Sequence, residues 1–281
     1  MIADLHLHSY YSDGTQPPEE IAEEAKSKGI GLISLCDHNV LSGLSEFEYA
    51  CKKRNIKYIS GVEIDCLFGD KNLHILAYNF DLKNKALIDL LSSNYAIMEQ
   101  MSIDLIKKMS NDYSSISLKE YETFNRIPRN GGWKGIDYLR SKGFSISYPD
   151  CMKYYREYNI KSSNEFQDLK TVCKIIHEAG GVAVLAHPGD RLDQNPDTFI
   201  TSLRKIIELG VDGVECFYPS HSKSITKLCV DFCREEDLII TAGSDSHGEF
   251  ASYINGVYYA MGVVMVDTEN LNLKELNDAI N

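Results

Sequence analysis

A chain of 281 residues is long enough to bury the core of a complete α/β barrel as one domain. Its 43% hydrophobic and 25% charged content excludes disorder, and 41 acidic against 29 basic side chains (formal net charge −12) argue against a broad nucleic-acid or anionic-membrane surface. Eight cysteines with no Cys-x-x-Cys pair fit a reducing compartment; no signal-like segment or bilayer-length apolar run is present, so the expected location is cytoplasmic.

In chain order, Ile2 to Leu5 reads as a first strand, and Pro17-Pro18-Glu19-Glu20 opens a helix that ends near Gly29. Leu32-Ile33-Ser34-Leu35-Cys36 is a continuous apolar run of the kind buried parallel strands show, ending in Asp37-His38-Asn39. A helix from Leu44 to Arg54 leads to strands at Tyr58 to Ile64 and Leu73 to Tyr78.

From about Asp81 the pattern turns polar and amphipathic, and residues 82–168 read as a mainly helical insertion within a barrel domain spanning 1–281. Its segment Arg126 to Lys134, containing Arg129 and Gly131-Gly132-Trp133, reads either as an anion-approaching basic turn or as a surface loop. A helix beginning after a Ser163 cap carries His177 on its face, structural or solvated, and runs to Gly180-Gly181. Strands at Val182 to Ala186, Val211 to Phe217 and Leu238 to Ala242 then alternate with helices, including one from Thr198 to Leu209; Tyr258 to Val266 reads as a final strand and Leu273 to Ile280 as a closing helix.

Two histidines one residue apart on a strand, His6 and His8, point the same way and can reach one ion. Alone, such a pair also occurs on solvated strands. Repeated strand–helix units, however, imply a parallel sheet or barrel whose functional face is the rim following the strands. His6 and His8 end the first strand, His38 follows the second, Glu63 ends the third, His74 lies in the fourth, and His187, Asp245 and His247 follow later ones. Nitrogen and carboxylate donors concentrated on one rim are what a polynuclear metal site requires. Asp13, Glu63 and Asp245 join the histidines as ligand candidates, Glu63 as a carboxylate able to bridge two ions. Asp37 and Glu215 read either as holders of an imidazole N–H or as a helix cap and a strand-end charge; Asp65 has no assigned role. There is no nucleophile elbow, P-loop or cysteine nucleophile motif, so water activated by a divalent ion, whose pKa falls to roughly 7, is the expected nucleophile.

Asp4-Leu5-His6-Leu7-His8-Ser9 with Ser12-Asp13-Gly14, then Asp37-His38, Gly61-Val62-Glu63, His74, Ala186-His187-Pro188 and Gly243-Ser244-Asp245-Ser246-His247 resemble, in order, the motifs of the PHP (polymerase and histidinol phosphatase) family. The resemblance implies a distorted (β/α)7 barrel holding two or three divalent ions, manganese, iron or zinc. One ion would take His6, His8, Glu63 and Asp245; a second would share Glu63 and add His74 and His187; a third would take Asp13, His38 and His247. The insertion and the segment Tyr218-Pro219-Ser220-His221 are most similar to the stand-alone phosphoesterases of the family, which implies Asp13 and His221 as catalytic residues, His221 contacting phosphate or protonating the leaving oxygen. Lys134 would bind substrate phosphate from the insertion, and Arg129 in the same basic turn is a further phosphate candidate.

Two departures from the family pattern stand out. Cys36 precedes Asp37-His38 where many relatives have threonine, and Gly132-Trp133-Lys134 stands where the phosphatases tend to carry Arg-Pro-His. Trp133 reads as stacking on a substrate ring or as packing. The expected substrate is a small phosphorylated metabolite: a nucleoside 3′,5′-bisphosphate or short oligonucleotide, with histidinol phosphate as the alternative within the enzyme class. A non-catalytic metal-binding module is the alternative outside it. No membrane partner is expected.

Overall fold

The computed structural model describes residues 1–144, 147–160 and 165–280. Seven strands form the barrel wall: β1 (Ile2–Leu7), β2 (Leu32–Leu35), β3 (Lys57–Phe68), β4 (Lys71–Tyr78), β5 (Val182–Leu185), β6 (Gly213–Phe217) and β7 (Ile239–Ala242). The ring closes where β7 runs out beside β1, with Asp245 N–H donating to His6 O and His8 N–H to Ser246 O, both at 2.9 Å. Helices α1 (Pro18–Ser27) and α2 (Leu44–Arg54) connect the early strands. On the later side, α7 (Leu169–Glu178) leads into β5, and α8 (Pro188–Arg191), α9 (Pro196–Ile207) and α10 (Lys223–Glu235) follow.

The wall is not all parallel. β1, β2 and β3 pair parallel, as do β5, β6 and β7, but β4 runs antiparallel to both its neighbours. Only Gly69 and Asp70 join β3 to β4, and Gly69 takes a positive φ of 63°. A two-residue link can make a hairpin but not a parallel crossover. The hairpin also lengthens β3, so Glu63 lies in the middle of that strand rather than at its end.

Two apolar layers hold the barrel. Inside the ring, Leu5, Leu32, Ile59, Leu76, Tyr78 and Val184 form one cluster, plugged by Leu273 and Leu276. Outside it, Ile33, Val62, Ile64 and Ile75 pack under helix residues such as Ile21, Phe47, Ile176, Phe199 and Phe232. Each fully buried side chain of this size contributes about 1.5–3 kcal/mol. The chain's end differs from expectation. In place of a strand from Tyr258 to Val266 there are two short pieces, β9 (Val257–Tyr258), paired with β8 (Tyr253–Ile254), and β10 (Val266–Asp267), paired with β1. Gly262, at φ 87°, breaks the run. The closing helix is a single 3-10 turn, Lys274–Asn277, because Leu273 and Leu276 are spent on plugging the barrel.

Between β4 and α7 lie α3 (Lys85–Asp112), α4 (Leu118–Thr123), α5 (Lys134–Ser141) and α6 (Tyr148–Glu157). Asn84 caps α3 by accepting from Leu87 N–H. These helices bury their own small core, including Leu105, Ile106, Met109, Tyr121, Tyr138 and Tyr155. The Ser163 cap lies outside the described residues; α7 is capped by Asp168, which accepts from Thr171 N–H at 3.0 Å. His177 is on the solvent side of α7, 2.8 Å from Asp212.

Candidate metal centre

The barrel rim gathers the candidate donors by three devices. β1 delivers His6 and His8 to the ring closure, where Gly243 lets the backbones approach: a Cβ there would lie 2.2 Å from His6 Cβ and 2.5 Å from Glu215 Oε1. His38 follows β2 and is tied to β3 by Asn39 N–H donating to Glu63 O at 2.9 Å. Because β4 runs backwards, His74 near its start lies at the same rim, in register with Asp65 and two pairs away from Glu63.

Glu63 is the hub. Its Oε1 lies 2.8 Å from His74 Nδ1 and 3.0 Å from His187 Nε2, while Oε2 lies 3.1 Å from His6 Nε2, 3.2 Å from His8 Nε2 and 3.3 Å from His38 Nε2. Asp245 Oδ1 is 3.0 Å from His8 Nε2, and Asp13 Oδ1 is 3.3 Å from His247 Nε2. Three groups of donor atoms result, each within 4.8 Å of one another: His6, His8, Glu63 and Asp245; His8, Asp13, His38 and His247; and His38, Glu63 and His74. Compared with the expected sets, His8 faces two groups and His38 joins Glu63 and His74, while His187, expected in the second set, falls in none of the three groups and lies with Nε2 3.0 Å from Glu63 Oε1.

The electrostatics are those of a dense charge cluster. Glu63 and Asp245 are held well below the carboxylate range, their burial being outweighed by the surrounding histidines. Burial and Arg191 oppose protonation of His74, yet the carboxylates of Glu63 and Asp65 lift it to about 9. Burial, helped by His74 and Arg191, carries His187 the other way, to about 4, and burial with the nearby Asp245 lifts the Glu215 carboxyl to about 7. Among the described residues, five buried atoms here make no well-directed hydrogen bond: His8 Nδ1 and Nε2, His38 Nδ1, His187 Nδ1 and Asp245 Oδ1, the His8 Nε2 and Asp245 Oδ1 pair facing each other at 3.0 Å. Orphaned donors and acceptors at a rim made of imidazole and carboxylate fit divalent metal ions.

Around the donors, Glu215 does what a ligand holder does: Oε1 meets His6 Nδ1 at 3.0 Å and Oε2 accepts from His187 N–H at 2.9 Å. Asp37 holds no imidazole. It accepts from Ser9 N–H, Ser9 Oγ and Ser12 Oγ at 2.6–2.7 Å and so braces the loop that carries Asp13.

Three expected substrate residues are occupied elsewhere. Arg129 forms a two-pronged pair with Glu20 on the outer surface. Lys134 lies over the Tyr121 ring, 4.5 Å from its centroid, and 3.8 Å from Glu99. His221 accepts from Gly189 N–H through Nε2 at 3.0 Å, and Nδ1, the protonated nitrogen of that neutral tautomer, faces Cys216 O at 3.1 Å. Both ring nitrogens of His221 thus meet main-chain groups, Gly189 after β5 and Cys216 in β6.

The donors floor a cleft of about 970 Å³ whose walls come from the helical segment and the β8–β9 hairpin, and include Met98, Trp133, Tyr148, Arg156, Arg191 and Tyr218. Trp133 also packs, donating to Tyr155 OH at 2.8 Å. Arg191, with Nη2 3.2 Å from His74 Nε2, is the cation at the donors that sequence reasoning missed. Its position, four residues after His187 on a strand-following turn, is the signal that could have found it.

This fold and rim define a metal-dependent phosphoesterase of the barrel type. The chain belongs to the PHP family: the PHP domain model matches residues 4–183. A 5′-3′ exoribonuclease of Haemophilus influenzae is 30% identical over 87% of this chain and 89% of its own. A phosphoribosyl 1,2-cyclic phosphate 1,2-diphosphodiesterase of Eggerthella lenta is 26% identical, covering 89% and 95%. A 3′,5′-nucleoside bisphosphate phosphatase of Chromobacterium violaceum is also 26% identical, covering 87% and 86%. In fold, a Bifidobacterium adolescentis structure provisionally assigned as a metal-dependent phosphoesterase superposes with a TM-score of 0.76 at 22% identity, over 95% of this chain and 93% of that one. The protein is accordingly a hydrolase. Among the described residues no helix is long and apolar enough to cross a membrane.

Proposed function

We propose that the chain hydrolyses phosphate monoesters of small phosphorylated metabolites, and that nucleotides, as 3′,5′-bisphosphates or short oligonucleotides, are its substrates. The observation that carries this reading is the sharing of Glu63, His8 and His38 among three donor groups on the floor of one cleft. Two or three divalent ions, manganese, iron or zinc, would be held there: one by His6, His8, Glu63 and Asp245, one by Glu63 and His74 with His187 or His38, and one by Asp13, His38 and His247 with His8. Bound, such ions supply Lewis-acid polarisation of phosphoryl oxygen and activation of water.

The chain's own residues do the rest. Arg191 offers a planar guanidinium to a phosphate lying against His74. His221 keeps the turn bearing His187 and Arg191 in place through Gly189. Asp37 fixes the loop of Asp13, whose carboxyl stays ionised because His247 and His38 outweigh its burial. Trp133 and Tyr148 give the cleft flat apolar walls suited to a base or sugar ring. The three relatives, acting on RNA, a cyclic sugar phosphate and a nucleoside bisphosphate, support a nucleotide-type substrate.

The test is phosphate release by manganese-loaded protein from a 3′,5′-bisphosphate, a 5′-monophosphate, a short oligoribonucleotide and histidinol phosphate. Preferred turnover of the bisphosphate or the oligonucleotide is expected. Preference for histidinol phosphate would replace the substrate, and turnover of none of them would return the chain to a metal-binding module without catalysis.

A further inference from the structure

Asp65 is the carboxylate that neither the sequence nor the proposed ligand sets employ, yet it is 5% exposed at the edge of the site. It is the cross-strand partner of His74 in the β3–β4 hairpin, so the two side chains share a face. Asp65 Oδ1 lies 3.3 Å from His74 Nε2, while His74 Nδ1 lies 2.8 Å from Glu63 Oε1. The imidazole therefore spans two carboxylates of one strand. Its Nδ1 is turned to the hub of the donor cluster and its Nε2 to a carboxylate outside it.

Asp65 is itself held from three sides. Asn39, in the left-handed conformation at φ 53° directly after His38, donates through Nδ2 to Asp65 Oδ2 at 2.7 Å. Asn72 donates to Asp65 Oδ1 at 3.0 Å. Asn94, in α3 of the helical segment, donates to Asn39 Oδ1 at 2.9 Å and to the Asp65 carbonyl at 2.8 Å. Asn39 and Asn94 are 2% and 1% exposed. Burying two amides and a carboxylate costs stability unless they bond to one another, and here the Asn94 amide N–H groups and both ends of the Asn39 amide are committed to the set, while Asn94 Oδ1 has no hydrogen-bond partner among the described residues. Arg191 Nη2, 3.2 Å from the same His74 nitrogen, competes with Asp65 Oδ1 for it.

We propose that Asp65 is a positioning residue for His74, and that the Asn94–Asn39–Asp65 chain lets the helical segment set the affinity of the metal position shared by Glu63 and His74. This rests on the reading of the rim as a metal centre. A carboxylate on the far nitrogen of a ligating imidazole fixes its orientation and raises its basicity, and losing such a partner costs about 10–100-fold in metal affinity.

The test uses the full chain, stripped with a chelator and titrated with zinc or manganese by calorimetry, with elemental analysis of the ions retained and circular dichroism as the fold control. Wild type, Asp65→Ala, Asp65→Asn and Asn94→Ala are compared. The expected result is a 10–100-fold weakening of one position in Asp65→Ala with the others unchanged. Asn94→Ala should weaken the same position less, and Asp65→Asn should restore part of it. Wild-type affinity at every position in Asp65→Ala overturns the proposal. So does equal weakening of all positions, or unfolding of both Asp65 variants, since each assigns Asp65 to the general core. If wild type itself binds fewer than two ions, the metal-centre reading fails and takes this proposal with it, a result distinguishable because it appears before any substitution.

Discussion

The Tyr218 hydroxyl donates to Asp245 Oδ2 at 2.7 Å, and this leaves Asp245 Oδ1 as the oxygen that faces His8 at 3.0 Å and His6 at 3.4 Å. Asp245 adopts a left-handed backbone at φ 53°, a conformation that is strained for an aspartate unless its surroundings hold it. Tyr218 is one of those holds, and it lines the cleft as well. Tyr218→Phe keeps the ring against His187 and removes only the hydrogen bond. Phosphate release should fall about 10-fold or more, with weakened metal retention and an unchanged fold, read by kinetics, elemental analysis and circular dichroism. Full activity with full metal content would show that Asp245 needs no such partner.

His221 supplies a second prediction, one that separates bracing from proton transfer. A general acid contributes typically 10²–10⁴-fold and leaves a limb in the pH–rate profile. With its nitrogens committed to Gly189 and Cys216, His221→Ala should reduce kcat by less than about 10-fold and preserve the shape of the profile. Loss of a limb, or a far larger drop, would mean that the ring turns into the cleft during turnover.

Asp37 gives a third. Its carboxylate gathers three donors from Ser9 and Ser12, so Asp37→Ala should release the loop that carries Asp13. The group of His8, Asp13, His38 and His247 should lose its ion first, with one fewer metal per chain by elemental analysis. Retention of every ion would show that Asp13 is held well enough by its own contact with His247.

Metal removal gives a fourth. Unpaired buried imidazole and carboxylate atoms destabilise the chelated protein, and an ion that binds only the folded state adds about 2.7 kcal/mol when present at 100 times its Kd. Manganese added to stripped protein should raise Tm by several degrees in a thermal scan, and chelator should reverse it. An unchanged Tm would count against a preformed site.

How much of this was legible in the residues follows from what fixes each position. His6, His8, His38, His187 and His247 were readable because each follows or ends a strand, and strand ends in a barrel share a rim. The Asp65–His74 pairing was not, since it depends on a hairpin register hidden in a two-residue link that looked like one more turn. Nor could the sequence say that Lys134 would settle over Tyr121 or Arg129 on Glu20, because long cations choose partners brought near by tertiary packing. Glu215 was offered two roles and Asp37 two; only the orientation of each carboxylate, toward His6 or toward Ser9, separates them. At the end of the chain, the apolar spacing of Leu273 and Leu276 looked helical, but the barrel's open floor claimed both side chains.

Glu63 is the centre of the donor cluster, its two oxygens meeting five histidines within 3.3 Å. Glu63→Gln keeps the shape and removes the charge. Elemental analysis of wild type and variant, beside manganese-stimulated phosphate release from a 3′,5′-bisphosphate, should find two or three ions and turnover in wild type. The variant should lose at least one ion and have activity reduced about 100-fold or more, in line with losing an ion that polarises phosphoryl oxygen and activates water. Wild-type metal content and turnover in Glu63→Gln, in a protein that remains folded, would contradict the reading of the rim as a metal centre.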